Sequence, residues 1–176
     1  MTTSINKVFE VGHPIGEVWS NLTDPEKIVT CVPGASLTEK IDEDHYKGQV
    51  QLKIGPVKAG YDGLITFVQR DVAAWKMSLK GTGVDTKGKG GADMTMNGQL
   101  TEKDGGTVVN VTMDINVTGM LAQFGSRLVG DVSNQVFDQF VANFKSKLSG
   151  GKVDNTLRAG SMAGSMIKGL FGGKHE

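Results

Sequence analysis

The sequence predicts an α+β fold in which a curved antiparallel sheet wraps around one long C-terminal helix, with two short helices after the first strand. Three observations carry this. From His45 to Val117 apolar and polar residues alternate in runs broken by turn residues, the mark of strands with one buried and one wetted face. From Gly119 to Leu148 the period changes: Leu121, Phe124, Leu128, Val132, Val136, Phe140, Phe144 and Leu148 recur at steps of three and four and share one apolar face. Between the first strand and the alternating region lie two short helical patterns. A single-faced sheet buries its apolar side against a helix laid across it.

In chain order, Ile5 to Val11 reads as a strand that ends before His13-Pro14. Ile15, Val18, Trp19 and Leu22 have helical spacing after Pro14 and are stopped by Thr23-Asp24-Pro25. A second short helix spans about Pro25 to Cys31, and Val32-Pro33-Gly34-Ala35 turns the chain into a strand over Ser36 to Ile41. Tyr46, Val50, Leu52 and Ile54 then alternate with Lys47, Gln49, Gln51 and Lys53 up to a Gly55-Pro56 turn. Tyr61, Gly63, Ile65 and Phe67 form the next inward row, and Trp75, Met77 and Leu79 follow an Arg70-Asp71 turn. Ala92, Met94, Met96 and Leu100 lead to an Asp104-Gly105-Gly106 hairpin, and Val109, Val111, Met113, Ile115 and Val117 run into the long helix. On that helix Asp131, Gln135, Asp138 and Asn143 read as the polar side.

The 176 residues, 38% of them hydrophobic, suffice for one domain over residues 1–148, followed by a Gly-rich linker and tail over 149–176. Lys plus Arg number 19 and Asp plus Glu 19, so nothing suggests nucleic acid as a partner. A single cysteine, Cys31, excludes an intramolecular disulfide framework and fits a reducing compartment. With neither a signal-peptide layout nor an apolar run of membrane-spanning length, the chain is expected in the cytoplasm.

Three stretches carry a resemblance: Cys31-Val32-Pro33-Gly34-Ala35; Lys53-Ile54-Gly55-Pro56-Val57-Lys58-Ala59 with Gly63 after it; and Leu121-Ala122-Gln123-Phe124-Gly125-Ser126-Arg127-Leu128-Val129. In this order the chain resembles the CoxG family, the G subunits of carbon monoxide dehydrogenase, a branch of the START-like, helix-grip (SRPBCC) superfamily. The resemblance implies an apolar cavity between sheet and helix, and a partner in a molybdenum-containing carbon monoxide dehydrogenase.

The Gly-rich run Gly81 to Gly91 suggests a phosphate loop, since Gly83 to Lys89 reproduces glycine, four residues, glycine and lysine. Gly90 stands where Ser or Thr is required, and Ala92 onward alternates like a strand instead of opening a helix, so an inter-strand loop is expected. His13, His45 and His175 lack metal-ligand spacing, the acidic stretch Asp42-Glu43-Asp44-His45 reads as a solvated turn, and no metal is expected. Cys31 reads as a small buried hydrophobe. No nucleophile, base and orienting acid can be nominated, so the chain is not expected to be an enzyme; cyclase or hydrolase chemistry, which the superfamily allows, would need a visible acid–base pair.

The expected ligand wall comprises Tyr61, Ile65, Trp75, Met77, Met94, Met96, Met113 and Ile115 on strands and Leu121, Phe124, Leu128 and Val132 on the helix. Methionines beside Gly63, Ala92 and Gly98 form either ordinary core or the lining of a cavity for a flat or flexible apolar ligand. In the tail, Met162, Met166, Ile167, Leu170 and Phe171 with Arg158 and Lys168 make apolar and basic faces suited to an anionic membrane surface. The alternative is a tail without helix, because Gly160, Gly164 and Gly169 each oppose helix formation by about 1 kcal/mol. Together with the resemblance, these features lead to a non-catalytic carrier of a lipophilic ligand, a quinone (menaquinone or ubiquinone) or a lipid. It would serve electron transfer by a molybdenum hydroxylase of the carbon monoxide dehydrogenase type, peripheral on the inner face of the cytoplasmic membrane. The alternative is a recruitment or maturation adaptor for that dehydrogenase, with a packed interior.

Overall fold

A computed structural model describes residues 2–54 and 57–151. Its elements are β1 (Thr2–Val11), α1 (Ile15–Leu22), α2 (Pro25–Ile28), a 3₁₀ turn (Val29–Cys31), β2 (Ala35–Lys40), β3 (His45–Ile54), β4 (Val57–Asp71), β5 (Lys76–Asp85), β6 (Gly91–Lys103), β7 (Gly106–Val117), a second 3₁₀ turn (Leu121–Phe124) and α3 (Gly125–Leu148). The seven strands form one antiparallel sheet in the order β1-β7-β6-β5-β4-β3-β2. Strands joined by tight turns stay neighbours, and β1 alone crosses the molecule, through the short helices, to pair along β7.

Each local choice has a sequence cause. Asp24 caps α2, its carboxylate accepting the Glu26 N–H at 3.0 Å, with Pro25 in the first turn where no donor is needed. Asp104 and Gly105 both have positive φ and close a two-residue β6–β7 hairpin, the twist that a primed turn demands. Arg70 closes the β2–β3 connection, donating to the Asp44 carboxylate at 2.9 Å and the Glu43 carbonyl at 2.8 Å while lying 3.8 Å above the Phe67 ring.

Three expectations need correction. The long helix does not begin at Gly119: Gly125, with φ +86°, separates a 3₁₀ turn from α3, which therefore has 24 residues and is about 36 Å long. Asn143 is not on a wetted side; it is buried, and its Nδ2 donates to the Cys31 carbonyl at 3.0 Å, supplying a donor to a backbone group that α3 covers. The turn after β4 does not lie at Arg70-Asp71, which still pair with β5, but at 72–75, where Trp75 takes φ +55°.

The sheet is not filled evenly. At the end formed by the β2–β3, β4–β5 and β6–β7 turns, Phe9, Val18, Trp19, Leu100, Val109, Phe137 and Phe144 build the main core. Phe140 stacks on Phe144 at 5.8 Å, while Phe9 meets Phe137 and Phe144 edge-on at 6.1 and 6.5 Å. Lys147 ties the end of α3 to the Lys27 carbonyl and to Thr30 Oγ1. The other end holds a smaller cluster around Ala59, Tyr61, Val117 and Leu121. Among the described residues no helix is long and apolar enough to cross a membrane. The proposed tail residues Arg158, Met162, Met166, Ile167, Lys168, Leu170 and Phe171 lie outside the described residues.

Candidate functional site

The small residues explain why the second end is hollow. Gly48, Gly63, Gly83 and Ala92 stand side by side on adjacent strands in the pairing register, on the face that looks toward α3. Gly81 lies in the next inward row, opposite Ile65 and Met94. Where four neighbouring strands carry almost no side chain, the helix above has nothing to pack against, and a void results.

That void is a cavity of about 260 Å³ that opens to solvent. Its floor is Gly63, Ile65, Gly81, Gly83, Ala92, Met94, Ile115 and Val117; Val50, Leu52 and Tyr61 close one side; Leu121, Phe124, Leu128, Val129 and Val132 form the roof. Thr82, Asp93 and Ser133 are also on its lining, so nearly all of the wall is apolar. The 3₁₀ turn and the first half of α3 supply the roof because Gly125 redirects the chain between Phe124 and Leu128.

Eight residues of the expected wall lie on the cavity: Tyr61, Ile65, Met94, Ile115, Leu121, Phe124, Leu128 and Val132. The other four do not. Met77 is buried in the main core, and Trp75, Met96 and Met113 pack against it; Trp75 meets Trp19 edge-on at 5.6 Å. Met77, Met96 and Met113 share the inner face with the cavity residues but sit further along their strands, at the filled end, and Trp75 lies in the turn before β5. Gly98 is likewise core, since a Cβ there would approach Met77 Cγ at 3.2 Å. Gly81 and Gly83, read from sequence as part of an inter-strand loop, are strand residues of β5; the connection is only 86–90. Gly83 pairs with Gly63 and Ala92, and Gly81 with Ile65 and Met94, so both belong to inward rows that only strand pairing makes visible.

Tyr61 brings a phenol side chain to the cavity wall. It is 7% exposed and faces Asp85 across the β4–β5 ladder. Burial, reinforced by the Asp85 charge, raises its pKa above the ordinary phenol value, so the hydroxyl keeps its proton and can donate to a carbonyl. Asp85 is itself 4% exposed and accepts the Lys87 N–H at 2.8 Å. Among the described residues no group of His, Cys, Asp and Glu could hold a metal ion. Cys31 lies in the main core with its thiol pKa raised by burial, remote from the cavity wall.

A seven-stranded antiparallel sheet curved round a C-terminal helix, with an apolar cavity between them, is the START-like helix-grip fold. Within that class, residues 8–149 match the CoxG family, the G subunits of carbon monoxide dehydrogenase, and the chain belongs to it. A conserved protein of Geobacillus kaustophilus has a similar crystal structure, with 28% identity and a TM-score of 0.76 over 85% of this chain and 96% of that one. The Zhui aromatase/cyclase of Streptomyces sp. R1128 shares the fold at 12% identity, with a TM-score of 0.60 over 86% of this chain and 99% of that one. So does a Mycobacterium smegmatis protein at 16% identity, with a TM-score of 0.60 over 84% of this chain and 91% of that one. No curated protein matches the chain.

Proposed function

We propose that the chain is a non-catalytic carrier of a lipophilic ligand, a membrane quinone, for a molybdenum-containing oxidoreductase of the carbon monoxide dehydrogenase type. The observation that supports this most is the cavity: about 260 Å³ of apolar space held open by a register of glycines and an alanine. An apolar void of about 150 Å³ accepts benzene. The larger cavity therefore has room for a one- or two-ring quinone head group, while a long isoprenoid tail exceeds it and follows the opening. The protonated Tyr61 hydroxyl donates to a quinone carbonyl, and Met94, Phe124 and Leu128 pack against the ring.

A soluble oxidoreductase that passes electrons to a membrane pool needs its apolar acceptor brought through water. A carrier shields that surface, each 100 Å² of which costs roughly 2.5 kcal/mol when exposed. Membership of the CoxG family supports that enzyme as the partner, and residues 152–176, with Arg158, Met162, Met166, Ile167, Lys168, Leu170 and Phe171, provide peripheral attachment at the inner face of the cytoplasmic membrane.

The experiment is to extract the purified protein with organic solvent, analyse the extract by mass spectrometry, and titrate the stripped protein with menaquinone-4. Carriage predicts a co-purifying quinone, or saturable uptake that Tyr61→Phe weakens about tenfold, the loss of one buried hydrogen bond of 1–1.5 kcal/mol. Empty extracts together with no uptake defeat the carrier and leave an adaptor with an idle interior.

A further inference from the structure

The chain is neutral overall, but its charges are sorted along the sheet. The strand ends and turns at the filled end hold Asp42, Glu43, Asp44, Asp71, Glu102 and Asp104. Three cations beside them are paired, Lys40 with Glu43, Arg70 with Asp44 and Lys103 with Glu10, whereas Lys76 and, at the end of α3, Lys145 and Lys147 form no ion pair among the described residues. At the cavity end the order reverses. Lys53 and Lys58 end β3 and begin β4, Lys87 and Lys89 occupy the β5–β6 connection, and Arg127 lies in the first turn of α3. All five are exposed, and among the described residues none of them forms an ion pair.

The tips that bear these cations form one rim. The Thr86 N–H donates to the Gly60 carbonyl at 2.9 Å, joining the β5–β6 connection to β4, and the Met120 N–H donates to the Lys89 carbonyl at 3.1 Å, joining it to the roof of the cavity. Within the rim, Lys53 and Lys58 face each other directly in the β3–β4 ladder. Like charges in that relation weaken a ladder unless an anion lies between or beside them. Of the acids at this end, Asp85 is turned inward and accepts the Lys87 N–H, while Asp93 is exposed on the cavity lining.

We propose that this basic rim is a docking surface for an anionic bilayer, which it meets with the cavity end foremost; the purpose of that orientation rests on the carrier reading above. Four of the five cations are lysines, hydrated point charges on flexible stems that suit a diffuse field of lipid phosphates better than the forked guanidinium geometry that paired carboxylates favour. The acidic filled end is repelled by the same surface. A molecule with no net charge is thus turned rather than merely attracted, and the hollow end faces the ligand pool.

The test uses the full chain and two triple variants of equal charge change. One is Lys58→Gln/Lys87→Gln/Lys89→Gln on the rim, the other Lys76→Gln/Lys80→Gln/Lys103→Gln away from it, and both are checked for intact melting by circular dichroism. Partition onto phosphatidylcholine vesicles with and without phosphatidylglycerol is measured by co-sedimentation, and uptake of menaquinone-4 dissolved in those vesicles is followed separately. At about fivefold per neutralised cation, the rim variant should lose roughly a hundredfold in affinity for anionic vesicles at low salt, and the control variant less than fivefold. Equal partition of the two variants overturns the proposal. So does a rim variant that keeps vesicle binding and loses binding to the purified oxidoreductase, which would make the rim a protein interface. If rim-dependent partition holds but the unmodified protein takes up no menaquinone-4 from either vesicle, docking stands and the carrier reading falls.

Discussion

Two substitutions on one strand separate a cavity from a core. Ala92 and Gly98 both lie on the inner face of β6, Ala92 over the void and Gly98 against Met77. Ala92→Phe adds a phenyl ring, and since an apolar void of about 150 Å³ already accepts benzene, one of about 260 Å³ can take the ring in place. Full burial of a Phe side chain is worth about 1.5–3 kcal/mol; allowing for strain at the wall, the variant should be between neutral and about 2 kcal/mol more stable. Gly98→Val has no such room, because its first carbon meets Met77 Cγ at 3.2 Å, and it should lose about 1–2 kcal/mol. At roughly 2–4 °C per kcal/mol for a domain of this size, melting temperatures should part by several degrees in opposite directions. Differential scanning calorimetry reads both, and menaquinone-4 uptake should vanish in Ala92→Phe and persist in Gly98→Val. An Ala92→Phe variant destabilised as much as Gly98→Val would show that the space is filled in solution, and the carrier reading would lose its footing.

Other consequences follow from the packing. Asn143→Leu leaves the buried Cys31 carbonyl without its side-chain donor and should cost about 1–3 kcal/mol in urea unfolding, with menaquinone-4 uptake unchanged because the site lies at the filled end. Cys31 is fully buried with a raised thiol pKa, so a thiol reagent should label it only as fast as the protein unfolds; prompt labelling of the native state would refute that burial. The hydrogen bond from His45, with help from the Asp44 N–H, lowers the Asp42 pKa, so the folded value lies below the unfolded one. Its contribution is therefore present above the ordinary carboxylate range and lost as pH falls through the lowered value. Nuclear magnetic resonance titration should show Asp42 moving upward in His45→Ala.

How far the sequence carries this structure depends on which kind of information a pattern holds. Period two assigns a residue to a face, and the inner-face rows from Tyr46 to Val117 were legible for that reason. It does not say how far along a long strand the residue sits. That is why Trp75, Met77, Met96 and Met113 read as cavity wall and are core: α3 covers both halves of the face, but only one half has side chains to meet it. The helix was legible from its apolar steps, its start was not. Leu121 and Phe124 keep helical spacing across Gly125, so spacing could not reveal a break made by one positive φ. Phe137 escaped because Val136 satisfied the same step, yet Phe137 is the one buried in the main core. Asn143 looked wet because amides usually are; only the fold brings an unpaired carbonyl to it. The glycines of β5 carried their meaning in register with other strands, and register exists only after the strands are paired.

That register has a consequence for how such a protein can change. The dimensions of the guest space are written in side chains that are missing, at Gly63, Gly83 and Ala92. At Gly83 an added carbon meets Tyr61 Cβ at 3.4 Å, an ordinary contact, and at Gly63 it meets the Thr82 carbonyl at 3.2 Å, a tighter one. Gly83 and Ala92 are therefore adjustable letters: one base change at either codon trims the space by a methyl or two while the filled end, which holds the fold, is untouched. Cavity size in this lineage can drift in small steps that selection on stability does not oppose, and a relative's cavity can be ranked as narrower or wider by reading those positions.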